Sequence, residues 1–253
     1  MKIPFLHPLF SCWDIGSDWH LIGKSTGEYS RTSTSISGAA AFLLLPLLAF
    51  SGNAYAQVIS GDYIVFDAGT SWKWLVTVNG TVVDEVDSAI ADETTPINGV
   101  DAVALEFSDG SNFFFSEEQD GYRIHRLFQP SAVELQPGVF VDITITFDPG
   151  VVFVGQVVEP GDTFSGSGTA TVELAGVGTG SVPYQSESTF VGIDSVSVPA
   201  GDFTDTMHLD SSFSLSGTLL GQPFAQVQTF EQWVGRAVGF VKFIQAVDGV
   251  GAL

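Results

Sequence analysis

The sequence predicts an all-β protein: a two-repeat antiparallel sheet of about ten strands, curved into a half-barrel or folded as a sandwich, with little helix. Three observations predict this class. Apolar and polar residues alternate with a period of two from Trp72 to the end of the chain. Turn signals such as Asn79-Gly80, Asp109-Gly110 and Pro149-Gly150 break that alternation at short intervals. Charged residues make up only 15% of the chain, while Val, Phe, Thr, Ser and Gly are abundant. That balance suits buried sheets rather than helical bundles or disorder.

Residues 1–31 form an N-terminal extension that a signal's basic region does not explain; a translation start further downstream, near Leu21, would account for it. Residues 32–56 read as a secretory signal peptide. Ala39–Phe50 is an uncharged run of twelve residues, Arg31 precedes it, and Ala54-Tyr55-Ala56 offers small residues to a signal peptidase. The run is too short for ~30 Å of hydrocarbon. Cleavage after Ala56 is expected, which leaves residues 57–253 as an exported domain, periplasmic or extracellular, with no stable membrane insertion.

The strands of this domain follow in order. Trp72, Trp74, Val76 and Val78 share one face of the first, and Asn79-Gly80 turns it into Thr81-Val82-Val83. Val103, Leu105 and Phe107 run to Asp109-Gly110, Phe113-Phe114-Phe115 returns, and Gln119-Asp120-Gly121 leads into Tyr122–Phe128. Ser131–Gln136 is the one soft helical candidate. Val139, Val141, Ile143, Ile145 and Phe147 form a long strand that Pro149-Gly150 is expected to end. Val151–Val158, Thr169–Leu174, Ser186–Val191, Ser195–Val198, Met207–Leu215, Phe224–Val234 and Gly239–Val247 complete the pattern, with Ser165-Gly166-Ser167-Gly168 read as a turn.

A weak internal repeat relates residues 60–150 to 151–247. Gly69-Thr70-Ser71-Trp72 corresponds to Gly161-Asp162-Thr163-Phe164, and Phe115, Gly121 and Tyr122 correspond to Trp233, Gly239 and Phe240. Val65–Trp72, Val198-Pro199-Ala200-Gly201-Asp202-Phe203 and Trp233–Lys242 resemble a group of uncharacterised bacterial exported β-rich proteins with a "VPAGxF … W … GVGxVK" pattern. Ala237 departs from the glycine usual in the last motif. Through that group the chain is remotely similar to the half-barrel LolA/LolB-type lipoprotein carriers; the resemblance implies a curved sheet and brings no catalytic residues.

Charge narrows the partners. The net charge is −21, and beyond residue 56 five bases face 26 acids. Such a surface repels nucleic acid and anionic lipid alike. The only cysteine, Cys12, lies upstream of the expected cleavage point, so the exported part holds neither a disulfide nor a thiolate metal site. Its two histidines, His125 and His208, lack zinc spacing, and no cofactor or metal is expected. The acidic runs Asp84-Glu85-Val86-Asp87 and Glu117-Glu118-Gln119-Asp120 do not match an EF-hand loop. His208 with Asp210 is the only base-and-acid pair a hydrolase reading can use, and no G-x-S-x-G elbow accompanies it.

What remains is an excess of aromatics. Phe113-Phe114-Phe115 directs a ring to each face of its strand, so one face must be covered by a loop or line a cavity. The leading expectation is a non-enzymatic binding or carrier module for a hydrophobic ligand, such as an acyl chain or a lipoprotein tail, with Trp74, Phe107 and Phe115 lining the site. The alternative is a structural or surface-interaction protein that pairs through strand edges such as Thr169–Leu174 and Ser211–Thr218. A hydrolase comes third.

Overall fold

The fold is taken from a computed structural model, which describes residues 17–25, 57–79, 81–136 and 138–248. The predicted signal segment, residues 32–56, lies outside the described residues, as do Cys12 and Gly80.

The described chain is all-β. Its one helical element is a 3₁₀ turn at Ser60–Asp62. Fourteen strands are formed, and twelve of them close into an antiparallel barrel. These are β1 (Ser17–Ser25), β3 (Ser71–Val78), β4 (Thr81–Ile97), β5 (Val100–Phe107), β6 (Asn112–Glu118), β7 (Gly121–Gln136), β8 (Val139–Gly155), β10 (Thr163–Leu174), β11 (Gly178–Val198), β12 (Gly201–Leu219), β13 (Gln222–Gly235) and β14 (Gly239–Asp248). The remaining pair, β2 (Val58–Ile59) and β9 (Val157–Val158), forms a small separate sheet. From β3 to β14 each barrel strand pairs with the next, and β1 completes the ring between β14 and β3.

This corrects the expected half-barrel or sandwich of about ten strands. The difference is closure, because β1 pairs along both outer strands of the meander and leaves the sheet no edge. The closing strand belongs to the N-terminal extension that sequence patterning left unexplained. Its Leu21 is buried with Trp72 and Trp74, and its carbonyl accepts a hydrogen bond from the Ala200 amide at 3.0 Å.

Three local expectations also change. Ser131–Gln136 is strand, because Ala132 and Val133 are buried against Ile143 of the neighbouring β8. Pro149-Gly150 does not end β8 but bends it: the register with β7 slips between Ile124 and Arg126, and the strand runs on to Gly155. Ser165–Gly168 lies inside β10, paired with Ser186–Tyr184 and Glu187 of β11. A side chain at Gly168 would clash with the Asp148 carbonyl oxygen and meet the Tyr184 ring at 2.8 Å, so glycine there admits the bend of β8.

On much of the barrel, apolar residues point inward and polar ones outward. Along β10, Ala170, Val172 and Leu174 are buried while Thr169, Thr171 and Glu173 are exposed, the reverse of the alternation in a membrane-spanning barrel. Eight strands already give a barrel that side chains just fill, so twelve in the round would leave a wide lumen. Large side chains reaching across the lumen narrow it. Phe147 of β8 meets Phe213 of β12, three strands round the ring, edge-on at 5.3 Å, and Phe153 of β8 approaches Phe240 of β14, five strands round, at 5.8 Å.

The end of the barrel where β3 begins is capped by residues 57–70. Tyr63 and Ile64 are buried there with Val154, Val158, Phe190 and Met207. The Ser60 hydroxyl donates to the carbonyls of Gly155 and Gln156. A clasp ties the cap to the rim: the Tyr63 phenol donates to Asp205 Oδ1 at 2.6 Å, and Arg236 Nη2 donates to the phenol oxygen at 2.8 Å. The opposite end is filled by Val133, Leu174, Leu215 and Leu219.

Candidate functional site: the barrel lumen

Between the two packed ends the lumen holds a cavity of about 180 Å³. Trp74, Phe107 and Phe115, the three residues expected to line a ligand site, all line it. They come from β3, β5 and β6, and strand pleating explains their convergence. Phe113 and Phe115, two residues apart, both face the lumen, whereas Phe114 turns outward under the Arg126 guanidinium at 5.6 Å. The rings pack edge to face, Phe107 on Phe113 at 5.4 Å and Phe113 on Phe115 at 6.4 Å. Trp74 is held in place by its indole N–H, which donates to Ser88 Oγ at 2.8 Å.

The opposite wall is polar, and sequence patterning missed it. Ser186 and Ser188 of β11, Ser211 of β12, Gln228 and Gln232 of β13 and Gln245 of β14 line the same cavity. Ser188 and Ser211 share a hydrogen bond at 2.9 Å, and Gln245 Nε2 donates to Gln228 Oε1 at 3.4 Å. The signal was present in the Gln226–Gln228 and Phe230–Gln232 alternation, but a polar residue at every second position reads as a solvent face unless the barrel's closure is known. The one ionisable residue contributing to the lining, Glu187, is exposed and alternates with the inward Ser186 and Ser188.

Two polar clusters elsewhere bear on chemistry. In the wall of β6 and β7, His125 is buried, and its Nε2 lies 2.7 Å from Ser116 Oγ and 3.2 Å from Glu118 Oε1. Serine, histidine and acid are together, yet the arrangement is not a nucleophilic triad. There the base uses one nitrogen for the serine and the other for its orienting acid; here a single nitrogen faces both, and Ser116 Oγ itself donates to Glu118 at 3.1 Å. A side chain at Gly150 would meet the other nitrogen, Nδ1, at 2.7 Å, so the bend of β8 covers that edge of the ring. Burial lowers the His125 pKa, with the Glu118 carboxylate opposing and Arg123 assisting.

His208 stands on the outer face. Its ring stacks on Trp233 at 4.5 Å, and its nitrogens face Asp210 at 3.3 Å and Asp194 at 3.9 Å. Lys242 lies over the same indole at 4.7 Å, so the histidine belongs to a cross-strand ladder over β12, β13 and β14.

The acidic runs are also engaged by cations: Lys73 Nζ sits 3.5 Å from Glu85 and 3.4 Å from Asp87, and Arg123 pairs with Glu118 at 3.1 Å and Asp120 at 2.6 Å. Among the described residues, no group of three or more His, Cys, Asp or Glu is placed to hold a metal ion. The strands Thr169–Leu174 and Ser211–Thr218, expected as free edges, each have a neighbour on both sides. In comparisons with known proteins, no family model, curated protein or solved structure matches this chain.

Proposed function

We propose that this chain is an exported, non-enzymatic binding or carrier module that holds a hydrophobic ligand inside the barrel. The observation that carries the reading is the aromatic-walled cavity of about 180 Å³, in which Trp74, Phe107 and Phe115 converge from three strands. Engineered apolar cavities of ~150 Å³ accept a benzene-sized guest, whereas sites for drug-sized ligands run to ~300–1,000 Å³. The lumen therefore suits a compact body, a ring or a short acyl segment, and a full lipoprotein tail needs the walls at Phe147–Phe213 to part. The polar outer face keeps such a module in water, and barrel closure, which requires that β1 (Ser17–Ser25) stay with the exported chain, works against the alternative of assembly through strand edges.

The test is native mass spectrometry of the protein purified gently from a bacterial periplasm, followed by uptake of toluene. Added mass on the native protein, or toluene uptake lost when Trp74, Phe107 and Phe115 are changed to Ser with the β-sheet spectrum retained, is the expected result. A clean mass together with no toluene uptake overturns the reading.

A further inference from the structure

We infer that the polar wall of the lumen is a head-group site, and that the ligand is a neutral amphiphile whose head both donates and accepts a hydrogen bond. The inference rests on the binding reading above and names the ligand class that reading leaves open.

The argument starts from hydrogen bonds left unmade. Gln228 and Gln245 are 5% and 3% exposed and line the cavity. Their mutual contact uses Gln245 Nε2 as donor and Gln228 Oε1 as acceptor. Gln228 Nε2 and Gln245 Oε1 then have no partner among the described residues. Buried polar groups are rarely left so, because each orphaned donor or acceptor carries its full desolvation penalty. The pair thus offers an open amide NH2 on Gln228 and an open carbonyl oxygen on Gln245, on adjacent strands at the edge of an apolar chamber.

A hydroxyl or a carboxamide matches that pair, since it accepts from Gln228 Nε2 and donates to Gln245 Oε1. An ionised carboxylate does not. It accepts from Gln228 but has no proton for Gln245, whose oxygen it would instead repel. It would also bring a buried charge into a lining that, among the described residues, holds no cationic side chain. The site therefore selects alcohols and amides over free fatty acids, while the ring-lined wall takes the apolar body.

The experiment titrates the protein calorimetrically with 1-octanol, with octanoate at neutral pH, and with toluene. Wild type is expected to bind toluene, and to bind 1-octanol at least about tenfold more tightly than octanoate. In the Gln228→Leu/Gln245→Leu variant, the affinity for 1-octanol relative to toluene is expected to fall about tenfold. Toluene bound with octanoate equal to or tighter than 1-octanol in the wild type overturns the head-group inference and leaves the cavity reading standing. A double variant that keeps the full 1-octanol affinity relative to toluene overturns it as well. Failure of all three probes on the wild type overturns the cavity reading itself. The wild-type comparison stands even where the variant does not fold.

Discussion

Replacing Tyr63 separates the two contributions that hold the cap over the barrel. Its ring is fully buried, packed among Ile64, Val154 and Phe190, with the Arg236 guanidinium 4.6 Å from its centroid. Its hydroxyl donates to Asp205, which also accepts from Arg236 Nε at 2.7 Å. The side chains of Arg236, Asp205 and Asp62 are about half exposed (48%, 47% and 49%), so their ion pairs are screened and each contributes only ~0.2–1 kcal/mol. Tyr63→Phe keeps the ring and its contact with the guanidinium but removes two hydrogen bonds, the phenol to Asp205 and Arg236 Nη2 to the phenol oxygen. Asp205 and Arg236 can recover water and still hold each other, so the cost should be about 1–2 kcal/mol. Tyr63→Ala removes the buried ring as well and should cost about 3–5 kcal/mol, the range for emptying an aromatic site. Equilibrium urea unfolding followed by tryptophan fluorescence reads both, with the denaturant slope unchanged if only stability moves. Equal losses in the two variants would refute the claim that ring burial dominates, and no loss in either would refute the docking of residues 57–70.

Three further outcomes follow from the same structure. Burial holds the His125 pKa below its ordinary 6.5, so the neutral ring stabilises the fold; stability should be intact above about pH 6.5 and fall as pH drops toward the folded-state value. His125→Gln should flatten that acid limb, and an unchanged pH profile of the urea midpoint would count against it. Tyr63 and Tyr122 are pushed up to about 12, chiefly by burial, so stability should hold to about pH 10 and be lost between 10 and 12, with their ionisation following unfolding in an ultraviolet titration. A chain beginning at Gln57 lacks β1 and leaves β3 and β14 as unpaired edges beside Trp72 and Trp74; it should self-associate with rising concentration, and a monomer with the full chain's urea midpoint would refute β1 as the closing strand.

The sequence alone determined the class, most strand positions from β3 onward and the aromatic half of the candidate site. Period-two alternation, the pairing of Val78 with Thr81 and the Asp109-Gly110 and Gly121 turns are local properties, and they survive in the barrel because strand pleat and turn geometry depend on neighbouring residues. Trp74, Phe107 and Phe115 were legible because three rings on the inward faces of successive strands must meet. Only tertiary structure decided closure, since β1 carries no strong pattern of its own and earns its place by pairing with β3 and β14, which lie more than 45 and 210 residues away in the chain. Tertiary structure alone likewise decided which polar residues face inward. Gln228, Gln245, Ser188 and Ser211 alternate as a solvent face would, and they become a buried wall because the far side of the same barrel covers them. Burial is a property of the whole chain's path, and a one-dimensional pattern records only which residues share a face.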